Sequence, residues 1–346
     1  RVVGSPTVGP EPMAAHPVPD ENSVAAAEAI LSAVYGLSED DLVIVLLSGG
    51  ASALLCAPAP GLTLESKRQV TSALLRSGAT IQEMNCVRKH LSAIKGGRLA
   101  QAAAPARCVT LAISDVVGDD AAAIGSGPTV GDPTTRHEAL AIVERYEIDA
   151  PDAVRAVLAS PGSETPKPGE LTALNGDVRI IAAPGRALRA AADAARENGL
   201  PSRILGDGFE GLVADVAYAH ADAVLNARAG ELLLSSGEAT VEVRGDGRGG
   251  PNMEFCLALA LRLEGGPRFS ALAVDTDGID GAAPAAGAYV DDKTLARARG
   301  LGLDPEAALA RNDSFGFFDA LGAVVDTGHT QTNVNDFRAI LVAPAG

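Results

Sequence analysis

Three short stretches of this sequence concentrate residues able to bind an anion, move a proton or hold a divalent cation. The first is Ser48-Gly49-Gly50-Ala51-Ser52, directly after the apolar run Asp41–Leu47. A strand that runs into small residues and then a helix leaves backbone N–H groups pointing outward at its end, and the helix N-terminus adds partial positive charge. The two glycines admit a ligand close to the backbone. Such a loop suits a carboxylate or a phosphate, although the same residues also make an ordinary βα turn. It is not a Walker loop, because no G-x-x-x-x-G-K-[ST] is present.

The second stretch is Asn85-Cys86-Val87-Arg88-Lys89-His90, followed by Lys95-Gly96-Gly97-Arg98. Arg88, Lys89, Lys95 and Arg98 gather in a chain of formal charge −16 that has only five lysines. A solvated helix face is the plain alternative, but scarce lysines collected in this way favour a phosphate or carboxylate site. The third stretch is Ser114-Asp115-Val116-Val117-Gly118-Asp119-Asp120, with Gly125-Ser126-Gly127-Pro128-Thr129 close behind. Asp115 ends the apolar run Cys108–Ile113, and ligands of open α/β sheets bind at the carboxyl ends of strands. A carboxylate there can hold Mg²⁺ or accept a proton from a hydroxyl. Asp119 and Asp120 suit helix capping equally well.

The second half of the chain adds three polar segments. Gly245–Gly250 is a glycine-dense turn containing Arg248, Asp275–Gly281 places Asp275, Asp277 and Asp280 after a strand, and Thr327–Asp336 is rich in hydroxyls and amides. Each could be turn chemistry on its own. The acidic loop lacks the spacing and the twelfth-position Glu of an EF-hand. A hydrolase elbow G-x-S-x-G is missing, and no G-x-G-x-x-G follows a first strand with an acid further on, so a dinucleotide fingerprint is unsupported.

These loops must be carried by regular elements, and the first ~220 residues alternate short β-rich runs with helical ones, the pattern of a parallel sheet covered by helices. Asp41–Leu47, Cys108–Ile113 and Arg179–Ala182 read as buried strands, the first two as central ones. Ser66–Ser77, Thr135–Tyr146, Asp152–Leu158 and Arg186–Asn198 read as helices. Ser160–Gly176, rich in Pro, Gly, Ser, Glu and Thr, reads as a surface excursion. From about Gly230 the strands Glu231–Leu234, Ala239–Val243, Phe269–Val274 and Ala339–Val342 and the helices Glu254–Leu263 and Thr294–Arg299 form a second α/β unit. The expected domains are 1–225 and 226–346.

With 346 residues, two domains are expected. Hydrophobic residues make up 47% and aromatics only 3%, so the cores must be aliphatic. The acidic balance argues against nucleic acid and anionic membranes as partners. Cys56, Cys86, Cys108 and Cys256 form no C-x-x-C pair, which points to buried thiols rather than a disulfide framework or zinc site. No apolar run approaches the ~20 residues of a membrane span, and no signal peptide is visible, so a cytoplasmic protein is expected. The chain opens on Arg1 rather than Met, and the first domain is expected to be N-terminally incomplete.

The ordered set of motifs resembles the glycerate 2-kinase (MOFRL) family. It runs through His16–Asp20 (HPVPD), Ser48–Leu54 (SGGASAL), Asn85–Arg98 (NCVRKHLSAIKGGR), Ser114–Asp120 (SDVVGDD), Ile124–Thr129 (IGSGPT), Gly247–Glu254 (GRGGPNME), Thr276–Gly281 (TDGIDG), Ala286-Gly287-Ala288 and Thr332–Asp336 (TNVND). The resemblance covers essentially the whole chain. It implies a Rossmann-like, parallel-sheet N-terminal domain and a smaller α/β, MOFRL-type C-terminal domain with an active-site cleft between them. It also implies ATP- and Mg²⁺-dependent phosphorylation of D-glycerate at the 2-hydroxyl. By carry-over, Asp115, Lys95, Arg88 and Arg248 are the catalytic candidates. Ser48, Gly49, Gly50, Ser52, Asn85, Lys89 and Ser126 would bind the substrate. Asp277, Asp280, Thr332, Asn333, Asn335 and Asp336 would bind the nucleotide, and Asp115 and Asp119 the metal. Pro251 stands where the family's turn carries a second Arg, and Ala183-Pro184-Gly185 replaces a polar Gly-Ser-Asn turn. These departures leave two alternatives: a degraded member that only binds small anions, or a hydroxypyruvate reductase. A homodimer is compatible with the sequence, which does not set the oligomeric state.

Overall fold

The computed structural model describes residues 18–172 and 177–344, so His16 and Pro17 of the opening motif and 173–176 of the Pro/Gly-rich stretch lie outside the described residues. Two compact units divide between Ile181 and Ala182.

The first unit runs α1 (Glu21–Val34), β1 (Leu42–Leu47), α2 (Ala51–Leu54), α3 (Leu64–Ser77), α4 (Ile81–His90), α5 (Arg98–Ala103), β2 (Arg107–Ile113), α6 (Arg136–Arg145), α7 (Asp152–Ala159), α8 (Pro168–Thr172) and β3 (Asp177–Ala182). Its strands form one sheet in the order β1-β2-β3, with β1 and β2 parallel. The helix starts are written locally. Asp20, Thr80 and Thr135 each accept a hydrogen bond from the N–H three residues on, and the side chain of the residue at that position accepts one from the cap's own N–H. Val70, Leu74, Val87, Leu91, Val143, Val154 and Leu158 pack α3, α4, α6 and α7 into an aliphatic core. A smaller cluster of Leu47, Ala112 and Ile124 pins the carboxyl ends of β1 and β2 to the segment around Ile124.

Strand β1 departs from expectation. It lies at the sheet edge, and Leu42, Ile44 and Leu46 are 56%, 59% and 76% exposed. Its unbroken apolar character suggested burial on both faces, but among the described residues only one face is covered.

The second unit runs α9 (Pro184–Glu197), β4 (Ser202–Leu212), α10 (Val213–Leu225), β5 (Leu232–Thr240), α11 (Pro251–Arg262), β6 (Phe269–Asp275), β7 (Gly287–Asp291), α12 (Thr294–Gly300), α13 (Pro305–Ala310), α14 (Ser314–Ala320), β8 (Val324–Val325) and β9 (Asp336–Val342). The sheet order is β4-β5-β9-β6-β7-β8. β4 and β5 are parallel, while β9 pairs antiparallel with both β5 and β6. This pairing is why the contacts divide near 181 rather than at the expected 225/226. α10 is the crossover of a parallel β4–β5 pair, so the segment from α9 to α10 folds with the second sheet. One strand, β5, also replaces the two expected at Glu231–Leu234 and Ala239–Val243. α11 is buried nearly all round, with Phe255, Cys256, Leu257 and Leu259 inaccessible to solvent.

Candidate functional site

In the first unit the loops singled out from the sequence converge. Gly50 adopts a left-handed conformation (φ 76°) and turns the chain out of β1 into α2. α2 is a single turn of four residues, so the helix-dipole contribution expected there is small. The loop is held instead by its neighbours. The Ser52 and Ser126 hydroxyls share a hydrogen bond of 3.0 Å, and Ser126 donates to Asn85 Oδ1 at 3.4 Å. Lys95 Nζ donates to the carbonyls of Ala51 (3.3 Å) and Gly125 (3.4 Å). Gly125, Ser126 and Gly127 all have positive φ, and Ser126, at φ 63°, is fully buried. A non-glycine residue held there stores local strain, which is common at ligand sites.

Gly49 faces Asp115. A Cβ at Gly49 would meet Asp115 Oδ2 at 2.3 Å, so the loop approaches the carboxylate more closely than any side chain would permit. Asp115 is half-buried beyond the end of β2, whereas Ser48 is exposed. Asp119 occupies a left-handed turn (φ 55°) with its N–H bonded to the Val116 carbonyl, and Asp120 caps the following turn through Ala122 N at 2.9 Å. Among the described residues no three His, Cys, Asp or Glu side chains form a metal cluster.

The four clustered cations separate into two pairs. Arg88 and Lys95 line a cavity of about 110 Å³ with Pro19, Ser52, Ala53, Cys56, Lys67 and Thr71. Burial lowers the basicity of Arg88, and burial followed by the Lys67 charge pushes Lys95 well below the usual lysine range. Lys89 and Arg98 are engaged with protein groups instead, Lys89 being the one expected to bind substrate. Its ammonium lies 3.3 Å from Asp132 Oδ1 in a buried pair, and Asp132 also accepts from Thr134 and Thr165. Arg98 donates to the carbonyls of Lys89, Ser163 and Glu164. The expected surface excursion is thereby stitched into the first unit, with Ser163 and Thr165 buried.

Lys67 and Thr71 were not singled out in the sequence. Their signal was present: Lys67, Val70, Thr71 and Leu74 form the buried i, i+3, i+4, i+7 stripe of α3, so a lysine sits where the helix pattern demands an apolar residue.

In the second unit two of the expected nucleotide contacts, Asp280 and Asp336, are engaged with protein groups. Asp280 is buried and caps α11 from a distance, accepting from Asn252 N (2.9 Å), Met253 N (2.8 Å) and Asn252 Nδ2 (3.3 Å). Pro251 occupies the first position of α11, where a missing N–H costs nothing. Gly250 is required because a Cβ there would strike the Asp280 backbone at 2.3 Å. Asp336 accepts from Asn252 Nδ2 at 2.6 Å and pairs with the fully buried Arg338, whose guanidinium lies 5.1 Å from the Phe255 ring centre. Both carboxylates are therefore committed to protein donors. Burial pushes Asp280 up to about 6 and raises Asp336 as well.

The other expected contacts form an interlocked loop pair. Asp277 accepts from Ile279 N (2.8 Å), Thr276 Oγ1 donates to the Asn335 carbonyl (2.8 Å), and Asn333 accepts from Asn335 N (2.8 Å). Asn335 is buried at φ 64°, and its Nδ2 has no partner among the described residues. Thr332 is half-buried beside them. Arg248 is exposed and stacks 4.8 Å from the Phe315 ring centre. The larger cavity of this unit, about 500 Å³, is lined by Tyr218, Glu242, Arg244, Glu254, Arg262 and Asn312 among others, and it contains none of the expected site residues. Chemistry, rather than size, distinguishes the smaller cavity.

Residues 11–159 match the family model described as a domain of unknown function, DUF4147, and residues 231–336 match the MOFRL family. A protein of Agrobacterium vitis, given the provisional name hydroxypyruvate reductase, is 54% identical over 338 residues, which span 95% of this chain and 76% of that one. The D-glycerate 2-kinase of Thermotoga maritima is 39% identical over 335 residues, spanning 93% of this chain and 78% of that one. The crystal structure of a glycerate kinase from Thermotoga maritima superposes with a TM-score of 0.88 at 37% identity, covering 95% of this chain and 80% of that one. Among the described residues no helix is long and apolar enough to cross a membrane.

Proposed function

Because this chain belongs to the glycerate kinase (MOFRL) family, we propose that it transfers the γ-phosphoryl group of ATP to the 2-hydroxyl of D-glycerate, giving 2-phosphoglycerate. The observation that carries the reading is the convergence in the first unit of Arg88, Lys95, Ser52 and Ser126 beside the Gly49–Asp115 contact. Phosphoryl transfer asks mainly for positioning and for cations around the migrating charge. The Ser48–Ser52 loop would seat the glycerate, with Asn85 and Ser126 fixing its geometry. Arg88 and Lys95 would face the phosphoryl oxygens. Asp115 would accept the hydroxyl proton or, with Asp119, hold Mg²⁺, which when bound supplies positive charge to the phosphate oxygens. In the second unit, Arg248, Asp277, Thr332, Asn333 and Asn335 remain the candidates for nucleotide contacts.

The test is direct. The protein is incubated with D-glycerate, ATP and Mg²⁺, with the Thermotoga maritima enzyme in parallel, and followed by phosphorus NMR. A doublet from a phosphate on a single C–H marks the 2-ester, and a triplet marks the 3-ester. No ester from this chain while the control turns over would overturn the reading.

A second reading, hydroxypyruvate reduction with a nicotinamide cofactor, is favoured only by the name carried by the Agrobacterium vitis relative. The G-x-G-x-x-G matches of this sequence lie inside β4 (Gly206–Gly211) and in the Gly245–Gly250 turn, not in the turn after the first strand, which speaks against it. Loss of reduced-cofactor absorbance on adding hydroxypyruvate would support it.

A further inference from the structure

The cavity between α2, α3 and α4 has a property that phosphoryl transfer through Arg88 and Lys95 does not by itself require. A third cation, Lys67, enters it from α3. Lys67 is only 4% exposed, and its Nζ has no hydrogen-bond partner among the described residues. Arg88 likewise forms no ion pair among them, and Lys95 touches only backbone carbonyls. Among the described residues no acidic side chain lines the space, although acids outnumber bases 44 to 28 in the chain. A buried ammonium without an acceptor is among the costliest arrangements a fold can hold, and such groups are normally paired. Lys89, a few residues along the chain from Lys95, shows the ordinary solution, a buried acid at 3.3 Å. Among the described residues no counter-charge faces Lys67, so it is left for a ligand.

We propose that Lys67, Arg88 and Lys95 form a binding site for a tetrahedral oxyanion of phosphate size, with Lys67 a ligand-contacting residue, and with the Ser52 and Thr71 hydroxyls completing the shell. The dimensions and charge select the ligand class. A space of about 110 Å³ suits one phosphate group better than a whole nucleoside. Three converging cations match a dianion better than a monovalent carboxylate, which would leave two of them uncompensated. Burial lowers the basicity of Lys67 first, with Arg88 and Arg98 adding to it, so the empty pocket sheds charge that an arriving anion restores. The same chemistry could reach the site as free phosphate or as the phosphoryl group of a phosphorylated hydroxy acid. The inference rests on the proposed kinase reading only for the second of these sources.

The experiment measures binding rather than turnover. Inorganic phosphate and 2-phosphoglycerate are titrated calorimetrically into the full chain, the Lys67→Met variant and, as a charge control, Lys293→Met, whose lysine is exposed in the second unit. Thermal unfolding is recorded with and without each anion. Lys67→Met should weaken binding by about 10- to 100-fold, the scale of one charge-assisted contact, while Lys293→Met leaves it unchanged. Without ligand, Lys67→Met should unfold at a higher temperature than the parent chain, because a buried charge has been replaced by an apolar chain of similar length. That gain excludes misfolding as the cause of lost binding. Tighter binding of 2-phosphoglycerate than of phosphate identifies the phosphorylated acid as the source, and the reverse order identifies free phosphate. Unchanged affinity in Lys67→Met, or no binding of either anion by the parent chain, overturns the proposal. If the anion binds through Lys67 but no kinase activity exists, the site stands and the kinase reading fails.

Discussion

The Asp115 carboxylate stands against the α-carbon of Gly49, where an added methyl group would come within 2.3 Å of Oδ2. Neither residue can change without disturbing the other, so the loop after β1 and the end of β2 act as one unit. Gly49→Ala should displace the carboxylate and lower kcat/KM for glycerate phosphorylation about as much as Asp115→Asn does, roughly 100-fold or more if Asp115 handles the proton. Unfolding midpoints near that of the parent chain would assign both losses to the site. Near-normal turnover in Gly49→Ala would show that the close approach has no functional weight.

Two buried lysines in neighbouring helices should respond oppositely to the same substitution. Lys67→Met is expected to stabilise the protein. Lys89→Met strands Asp132 as an uncompensated charge in a fully buried position and should cost about 3 kcal/mol. Urea unfolding of the two variants checks the pair. Lys89→Met within experimental error of the parent chain would mean that Thr134 and Thr165 satisfy Asp132 alone.

In the second unit, Asp280 is the cap of a helix to which it is not adjacent. Asp280→Ala removes the acceptor for Asn252 N, Met253 N and Asn252 Nδ2 together, and should destabilise that unit by about 2 kcal/mol or more. Asp280→Asn keeps an acceptor oxygen and should cost less. Denaturant midpoints at neutral pH rank the three proteins.

The pH dependence of stability carries a signature of Asp275. Burial pushes its carboxyl up to about 7, with the Asp277 and Asp336 charges adding to the effect, from an ordinary value near 3.8. The folded chain therefore holds a proton that the unfolded chain has released between those values. Its stabilising contribution is complete below about pH 4 and is lost as pH rises through 7. Asp275→Asn should remove that decline and raise stability at pH 8 by on the order of 1 to 2 kcal/mol, reduced from the full shift because the group is only half-buried. Unfolding free energies from pH 4 to 8 supply the comparison, and an unchanged slope would exclude Asp275 as its source.

Local signals placed most elements of this protein. The apolar runs at Leu42–Leu47 and Arg107–Ile113, the helical stripe of α3 and the capping box at Thr135 can each be read within a dozen residues, because hydrophobic periodicity and capping are short-range effects. β4 escaped notice because SRILGDGFEGL mixes charges and glycines and gains its place only by pairing with β5. The site was legible as a set of loops but not as an assignment of roles. Arg88, Lys89, Lys95 and Arg98 look alike in the sequence. The difference lies in what packs opposite each one: Asp132 for Lys89, backbone carbonyls for Arg98, and an acid-free cavity for Arg88 and Lys95.

By itself, then, the sequence determined the α/β character, the family motifs and the presence of a cationic segment in an acidic chain, since these depend on composition and spacing. The tertiary structure alone decided that Asp280 and Asp336 serve the core of the second unit and that the 182–225 segment joins its sheet. It also decided that Lys67, without a partner among the described residues, points into the same pocket as Lys95. Whether a buried charge is neutralised depends on groups distant in sequence, and only the folded chain brings those together or leaves them apart.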